Sequence, residues 1–170
     1  MKIGFVGLGR MGMAMATRLQ QAGFDLEVWN RSEKTVPDGM RVAASLAELV
    51  SDRDVVFSIL SNDEATNAVH SQMFSYAAKG TCFVEMATVH LGTVKQLSGL
   101  AMEHGVSYVD IPVVGTVGPA TQGQLLALAG APAETLTRIQ PALDAMCRKT
   151  VRRGDVSTGM AMKHCVNSLM

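Results

Sequence analysis

Gly7-Leu8-Gly9-Arg10-Met11-Gly12 places three glycines at spacings of two and three near the start of the chain, and the chemistry that pattern suits is the holding of an anion. The first glycine lets the backbone turn tightly, the second lets a phosphate approach the main chain, and the third lets a helix pack closely on the strand before it. Unpaired N–H groups of the helix's first turn then face the negative charge. The pattern carries this meaning only between a strand and a helix. It has that setting here: residues 2–6 form a short apolar run, and residues 11–22 carry apolar side chains at helical intervals. A dinucleotide held by its pyrophosphate is the expected ligand.

The end of the second expected strand bears on which dinucleotide. A carboxylate about 20 residues past the glycines would bond a ribose 2′-hydroxyl, whereas a cation there accommodates a 2′-phosphate. The chain reads Trp29-Asn30-Arg31-Ser32 at that place, with Lys34 close behind, and Glu27 lies inside the strand, too early to serve. Arg31 offers a planar fork of donors and Ser32 a hydroxyl, so NADP is preferred over NAD. The alternative, a solvated Arg31 and binding of both cofactors, stays open at this stage.

Other reactive side chains suggest less. His70, His90, His104 and His164 have no metal-ligand spacing and read as ordinary helix or loop residues. Cys82, Cys147 and Cys165 match no zinc or Cys-x-x-Cys pattern and read as reduced, mostly buried thiols; no metal site is expected. The 15 Lys+Arg balance 15 Asp+Glu, which argues against a nucleic-acid partner because that usually shows as a basic stripe. With 48% hydrophobic residues the chain has material for a core and is not disordered. Apolar runs fall short of a membrane span and no signal-peptide pattern opens the chain. A soluble, cytoplasmic protein is the expectation.

Elements that would position these residues follow from periodicity. Residues 2–6, 26–29, 54–60, 82–85 and 107–112 are short apolar runs bounded by Gly, Asp or Asn, and read as buried parallel strands. Residues 11–22, 45–50, 63–78 and 91–104 have helical spacing and read as crossover helices. A glycine-rich passage runs to Gly123, followed by a strand at 125–129, a helix from Pro132, a last strand around Thr150, and a helix from Ser157 through Met160, Lys163, Asn167 and Met170. This alternation predicts an α/β fold, a doubly wound Rossmann-type sheet, mostly parallel. Residues 1–156 would form the dinucleotide-binding domain and 157–170 the start of an interdomain helix leading into a following domain.

Four segments resemble the β-hydroxyacid dehydrogenase family, which includes 3-hydroxyisobutyrate dehydrogenases and the glyoxylate and succinic semialdehyde reductases. They are the opening strand with its glycine run; Val28-Trp29-Asn30-Arg31-Ser32; the segment from Asp110 to Leu125, similar to DxPVSGGxxGAxxGxL; and the segment from Gly154 to Asn167, similar to GxxGxGxxxKxxxN. Glu85-Met86-Ala87-Thr88-Val89 is a weaker fifth match, in which Thr88 fits the residue beside the nicotinamide and Ala87 does not. Leu60 joins Thr88 and the glycine run among the cofactor-lining candidates.

What the resemblance implies is hydride transfer between a nicotinamide and a small hydroxyacid or its semialdehyde or keto form. Lys163 would carry the proton and Asn167, four residues on along the same helix face, would orient the substrate. Val114, Gly115 and Thr116 would meet the substrate carboxylate, with Val114 standing where the family has Ser and Thr116 where it has Gly. Family members continue into an all-helical domain through which they dimerise, so a homo-oligomer is expected of the full-length protein. Two alternatives stay open: an imine reductase, a group that usually lacks the lysine, and a noncatalytic NADP-binding scaffold.

Overall fold

The computed structural model describes residues 1–169; Met170, expected as part of the final helix, lies outside them. Strand β1 (Lys2–Val6) runs into helix α1 (Arg10–Gln21), followed by β2 (Asp25–Trp29), β3 (Arg41–Val42), α2 (Leu46–Val50), β4 (Val55–Ser58) and α3 (Asp63–Tyr76). Next come β5 (Cys82–Glu85), α4 (Leu91–Glu103), β6 (Ser107–Asp110), β7 (Val113–Val114) and α5 (Val117–Thr121). The chain continues through β8 (Leu125–Gly130), α6 (Ala133–Met146), β9 (Cys147–Gly154) and α7 (Thr158–Ser168).

The strands lie in the order β3-β2-β1-β4-β5-β6-β8-β7, with β9 beside β8. Strands β1 to β6 are parallel, β8 runs antiparallel to β6 and β7, and β9 is parallel to β8. This is the expected Rossmann-type sheet. The strand order reverses between β1 and β4, and there the loops leaving the two carboxyl ends part and open a crevice.

Side chains alternate across the sheet. Phe5, Phe57, Val84 and Val109 meet Met15, Leu19 and Leu143 from α1 and α6 on one face, while Val56, Phe83 and Tyr108 meet Leu49, Phe74 and Leu97 from α2, α3 and α4 on the other. Coverage on both faces is why β1, β4 and β5 read as unbroken apolar runs.

The expectation of uniformly buried strands fails at β2, where Asp25 is exposed and Glu27 and Trp29 are half-buried. Its outer neighbour β3 has only two residues, so β2 lies close to the open edge of the sheet, and Arg53 spends its guanidinium on Asp25 and Glu27 there. Strands expected at 54–60 and 107–112 stop at Ser58 and Asp110, because the ladder ends in register across Val6, Ser58, Glu85 and Asp110. Strands β3 and β7 are too short to show a period in the sequence.

Candidate functional site

At Gly7 the backbone has φ +95°, and a Cβ there would lie 2.3 Å from the Ile59 carbonyl oxygen and 3.1 Å from Leu60 Cδ2. At Gly12 a Cβ would lie 1.8 Å from the Gly7 oxygen. Both glycines are therefore demanded by the fold, and Leu60 abuts the turn. Gly9 differs: its φ is −67°, and a Cβ there would meet nothing within 4 Å. Gly9 caps α1 with no side-chain hydrogen bond and no acidic residue stands in the first turn, so the first N–H groups of a 12-residue helix open onto that space. A pyrophosphate fits there, on donors that nothing in the helix satisfies.

Asn30 ties the next loop to this one. Its Oδ1 accepts from the Leu8 N–H at 2.9 Å, and its Nδ2 donates to the Ser32 carbonyl at 2.9 Å and hydroxyl at 3.2 Å. Arg31, Ser32 and Lys34 are exposed just beyond β2. Glu27 is held by Arg53, Nη2 to Oε2 at 2.5 Å, and is not available to a ribose. Of the two carboxylates on this loop, Glu33 and Asp38, Glu33 lines a shallow depression with Lys34, Thr35 and Val42.

Beyond β5, the 86–90 loop leaves Thr88 exposed while its backbone is gripped. Glu85 Oε1 accepts from the Ala87 N–H at 2.8 Å, and Asp63 Oδ1 accepts from the His90 N–H at 2.8 Å. Glu85 is wholly buried with Ser58 and His70. His70 Nδ1 lies 2.9 Å from the Thr66 carbonyl, which can only accept, so Nδ1 carries the proton. In a neutral ring Nε2 then accepts from the Ser58 hydroxyl at 3.1 Å, and Glu85 supplies the proton across its 2.8 Å contact with Ser58 Oγ. Burial agrees with that assignment: it pushes Glu85 up to about 8 and His70 down to about 4. His70 is a helix residue of α3, as read from the sequence, and the structure adds that it is a fully buried member of a hydrogen-bonded chain, placed there by the α3 fold-back onto β4 and β5.

Asp110 ends β6 and caps α7 from a distance. Its Oδ1 accepts from Ser157 N and its Oδ2 from Met160 N, each at 2.6 Å. Burial raises Asp110 to about 6, against the pull of those two N–H groups. Ser157 holds φ +80° with no side-chain cap of its own, so the carboxylate from β6 does the work of a local N-cap. Gly159 makes the approach feasible, since a Cβ there would lie 2.3 Å from the Leu128 oxygen. Along α7, Lys163 is half-buried and desolvation lowers it from the ordinary lysine range; Asn167 is exposed.

The segment expected to meet substrate forms another concavity. Val114 and Gly115 line it with Pro119, Gln122, Gln124, Leu126 and Arg148, and neither Lys163 nor Asn167 reaches it. Gly115 has φ +137°. Thr116 is exposed and starts α5 without using its hydroxyl as a cap. Arg10 points elsewhere, lining a groove with Met13, Thr17 and Val117 between α1 and α5. Among the described residues no three His, Cys, Asp or Glu side chains gather as a metal site, and no helix is long and apolar enough to cross a membrane.

The structure thus brings Gly7, Leu8, Gly9, Gly12, Asn30 and Leu60 to one crevice and Arg31 and Ser32 to its rim, while Met11 packs against the core. It sets Lys163 and Asn167 on a helix docked beside the Thr88 loop, while Val114, Gly115 and Thr116 lie between β7, whose Val113 N–H reaches the Met86 carbonyl at 3.4 Å, and α5, which packs on α1. Sequence reasoning missed Glu85, His70, Ser58, Asp110 and Arg148 as members of the site's surroundings. A carboxylate closing an apolar strand, as Glu85 and Asp110 each do, was the available signal.

The family model described as the NAD binding domain of 6-phosphogluconate dehydrogenase matches residues 2–154. An NAD-dependent L-serine dehydrogenase of Pseudomonas aeruginosa is 31% identical over 99% of this chain and 59% of its own length. Glyoxylate/succinic semialdehyde reductase 1 of Arabidopsis thaliana is 31% identical over 100% of this chain and 61% of its own. The solved 3-hydroxyisobutyrate dehydrogenase of Mycobacterium tuberculosis with L-serine superposes at a TM-score of 0.92 and 29% identity, over 99% of this chain and 59% of that one. An imine reductase of Myxococcus stipitatus, 20% identical with a TM-score of 0.90, shares the fold. The chain spans about 60% of the length of these relatives.

Proposed function

The chain belongs to the family of the NAD binding domain of 6-phosphogluconate dehydrogenase, and from that premise we propose that it is the cofactor-binding part of an NADP(H)-dependent oxidoreductase acting on a small hydroxyacid or its semialdehyde or keto form. The observation that carries this reading is the open space at Gly9 before the uncapped N–H groups of α1. Exposed Arg31, Ser32 and Lys34 at the β2 end, with Glu27 spent on Arg53, support the 2′-phosphate.

Bound in this crevice, a nicotinamide dinucleotide supplies or accepts the hydride. The chain's own residues do the rest. The α1 N–H groups and Gly9 hold the pyrophosphate, Asn30 keeps the phosphate-binding and ribose loops in register, and Thr88 borders the nicotinamide. In the reductive direction the Lys163 ammonium gives its proton to the oxygen of the carbonyl as that oxygen becomes an alkoxide; in oxidation the Lys163 amine takes the hydroxyl proton. Desolvation, which lowers Lys163, moves it toward the pH where both directions are served. Asn167 orients substrate from the same face of α7. Lys163 argues against an imine reductase.

Titration of the chain with NADPH and NADH tests the cofactor half of the proposal. NADPH should bind more tightly, and Arg31→Ala should weaken it about ten- to a hundredfold, the value of one charge-assisted bond to phosphate, while leaving NADH unchanged. Equal affinities in the wild type would overturn the preference. In the full-length protein, loss of NADPH absorbance with glyoxylate, succinic semialdehyde or methylmalonate semialdehyde tests the reaction; tight binding there without turnover on any of them favours the noncatalytic scaffold.

A further inference from the structure

We infer that His164 is a positioning residue: it fixes α7, and with it Lys163, against the 86–90 loop that presents Thr88. The inference rests on Lys163 as the proton carrier but comes from contacts that reading did not use. One residue of the loop is held at both its N–H and its carbonyl by α7. The Val89 N–H points to Met160 Sδ at 3.4 Å, and the Val89 carbonyl accepts from His164 Nε2 at 2.8 Å. Met160 and His164 are four apart and share one face of the helix, and Lys163 with Asn167 forms the face next to it. Rotation of α7 that would carry Lys163 away from the loop must break the His164 bond.

The staple is itself supported. The His90 ring lies nearly parallel to that of His164, centroids 6.4 Å apart at 17°. His90 is in turn held by its N–H on Asp63, whose Oδ1 also accepts from Thr93 Oγ1 at 2.5 Å. The N-terminal end of α7 is pinned by Asp110, so His164 supplies the second fixed point one turn further along. Two fixed points determine both the position and the roll of a short helix. One alone leaves the roll free.

Glutamine places an amide nitrogen at the reach of His Nε2, and leucine fills similar space without a donor, so His164→Gln and His164→Leu separate the bond from the packing. In the 170-residue chain, amide exchange at Val89 and His90 reads the staple, and the NMR titration of the Lys163 ε-methylene reads the setting of the lysine. His164→Leu should speed exchange at Val89 and raise the lysine's proton affinity about threefold, toward that of a solvated lysine; His164→Gln should restore both. In the complete enzyme, His164→Leu should lower kcat about tenfold with KM and NADPH affinity nearly unchanged, the pattern of a transition-state loss. Wild-type exchange and lysine titration in His164→Leu, or a glutamine variant no better than leucine, would overturn the inference. A wild type that reduces none of the carbonyl acids would sink the proposed function, while exchange and titration would still decide the staple.

Discussion

Replacing Gly9 by alanine should leave the fold intact and remove most of the dinucleotide affinity, whereas the same change at Gly12 should destabilise the fold itself. At Gly9 the φ of −67° and ψ of −171° are open to any L-residue, and the added methyl meets no protein atom within 4 Å. Alanine gains about 0.4–1 kcal/mol from a less free unfolded chain and loses a similar amount, about 0.5–1 kcal/mol, as a poorer N-cap. The two nearly cancel. The methyl does, however, occupy the space before the α1 N–H groups, and displacing a phosphate oxygen from one such donor costs about 1.5–3 kcal/mol, or ten- to a hundredfold in Kd. At Gly12 the methyl would sit 1.8 Å from a backbone oxygen, which side-chain motion cannot relieve, and a loss of about 3 kcal/mol or more is expected. At this chain length that is a fall in Tm of roughly 6–12 °C. Thermal melts of both variants, paired with NADPH titration of wild type and Gly9→Ala, make the comparison. Undiminished NADPH affinity in Gly9→Ala would refute the phosphate position; a melt as low as that of Gly12→Ala would refute the claim that Gly9 serves the ligand rather than the fold.

Two further outcomes follow from the buried carboxyls. Glu85 is raised from its ordinary 4.5 to about 8, so its contribution to stability is complete below the unfolded value and is lost as pH climbs from there through 8; between pH 7 and pH 9 denaturant melts should show a loss of about 1.4 kcal/mol. Glu85→Gln, which copies the neutral form, should flatten that slope, and a slope that survives the substitution would place the proton elsewhere. Asp110→Asn keeps one acceptor for two N–H groups and should loosen α7 by about 1 kcal/mol, the scale of a lost N-cap, seen as faster amide exchange over residues 157–163 with β1 and β4 unchanged; uniform exchange across the chain would count against a local cap.

The glycine run and the five parallel strands were legible because their causes are local. A strand covered on both faces must be apolar along its whole length, as β1 and β4 are, and a tight strand-to-helix turn must carry glycine where φ is positive, as at Gly7. Arg31 and Ser32 were legible for the same reason, since they follow directly from where β2 ends. Lys163 and Asn167 came from a resemblance, and the structure supplies their setting on a helix beside the Thr88 loop. The burial of His70 was not legible because nothing near it in sequence announces it; only α3 crossing back over β4 and β5 sets it beside Ser58 and Glu85.

By itself, then, the order of residues determined the elements, the glycine turn between β1 and α1, and the run Asn30-Arg31-Ser32 that directly follows β2, all of which depend on neighbours within a few positions. The tertiary structure alone decided that Asn30 would reach back to Leu8, that Asp110 would cap a helix 47 residues further on, and that His164 would meet Val89 across 75. Those pairs are created by the order in which parallel strands lie side by side, and strand order is chosen by the packing of helices on both faces of the sheet, a property of the whole core and of no segment within it.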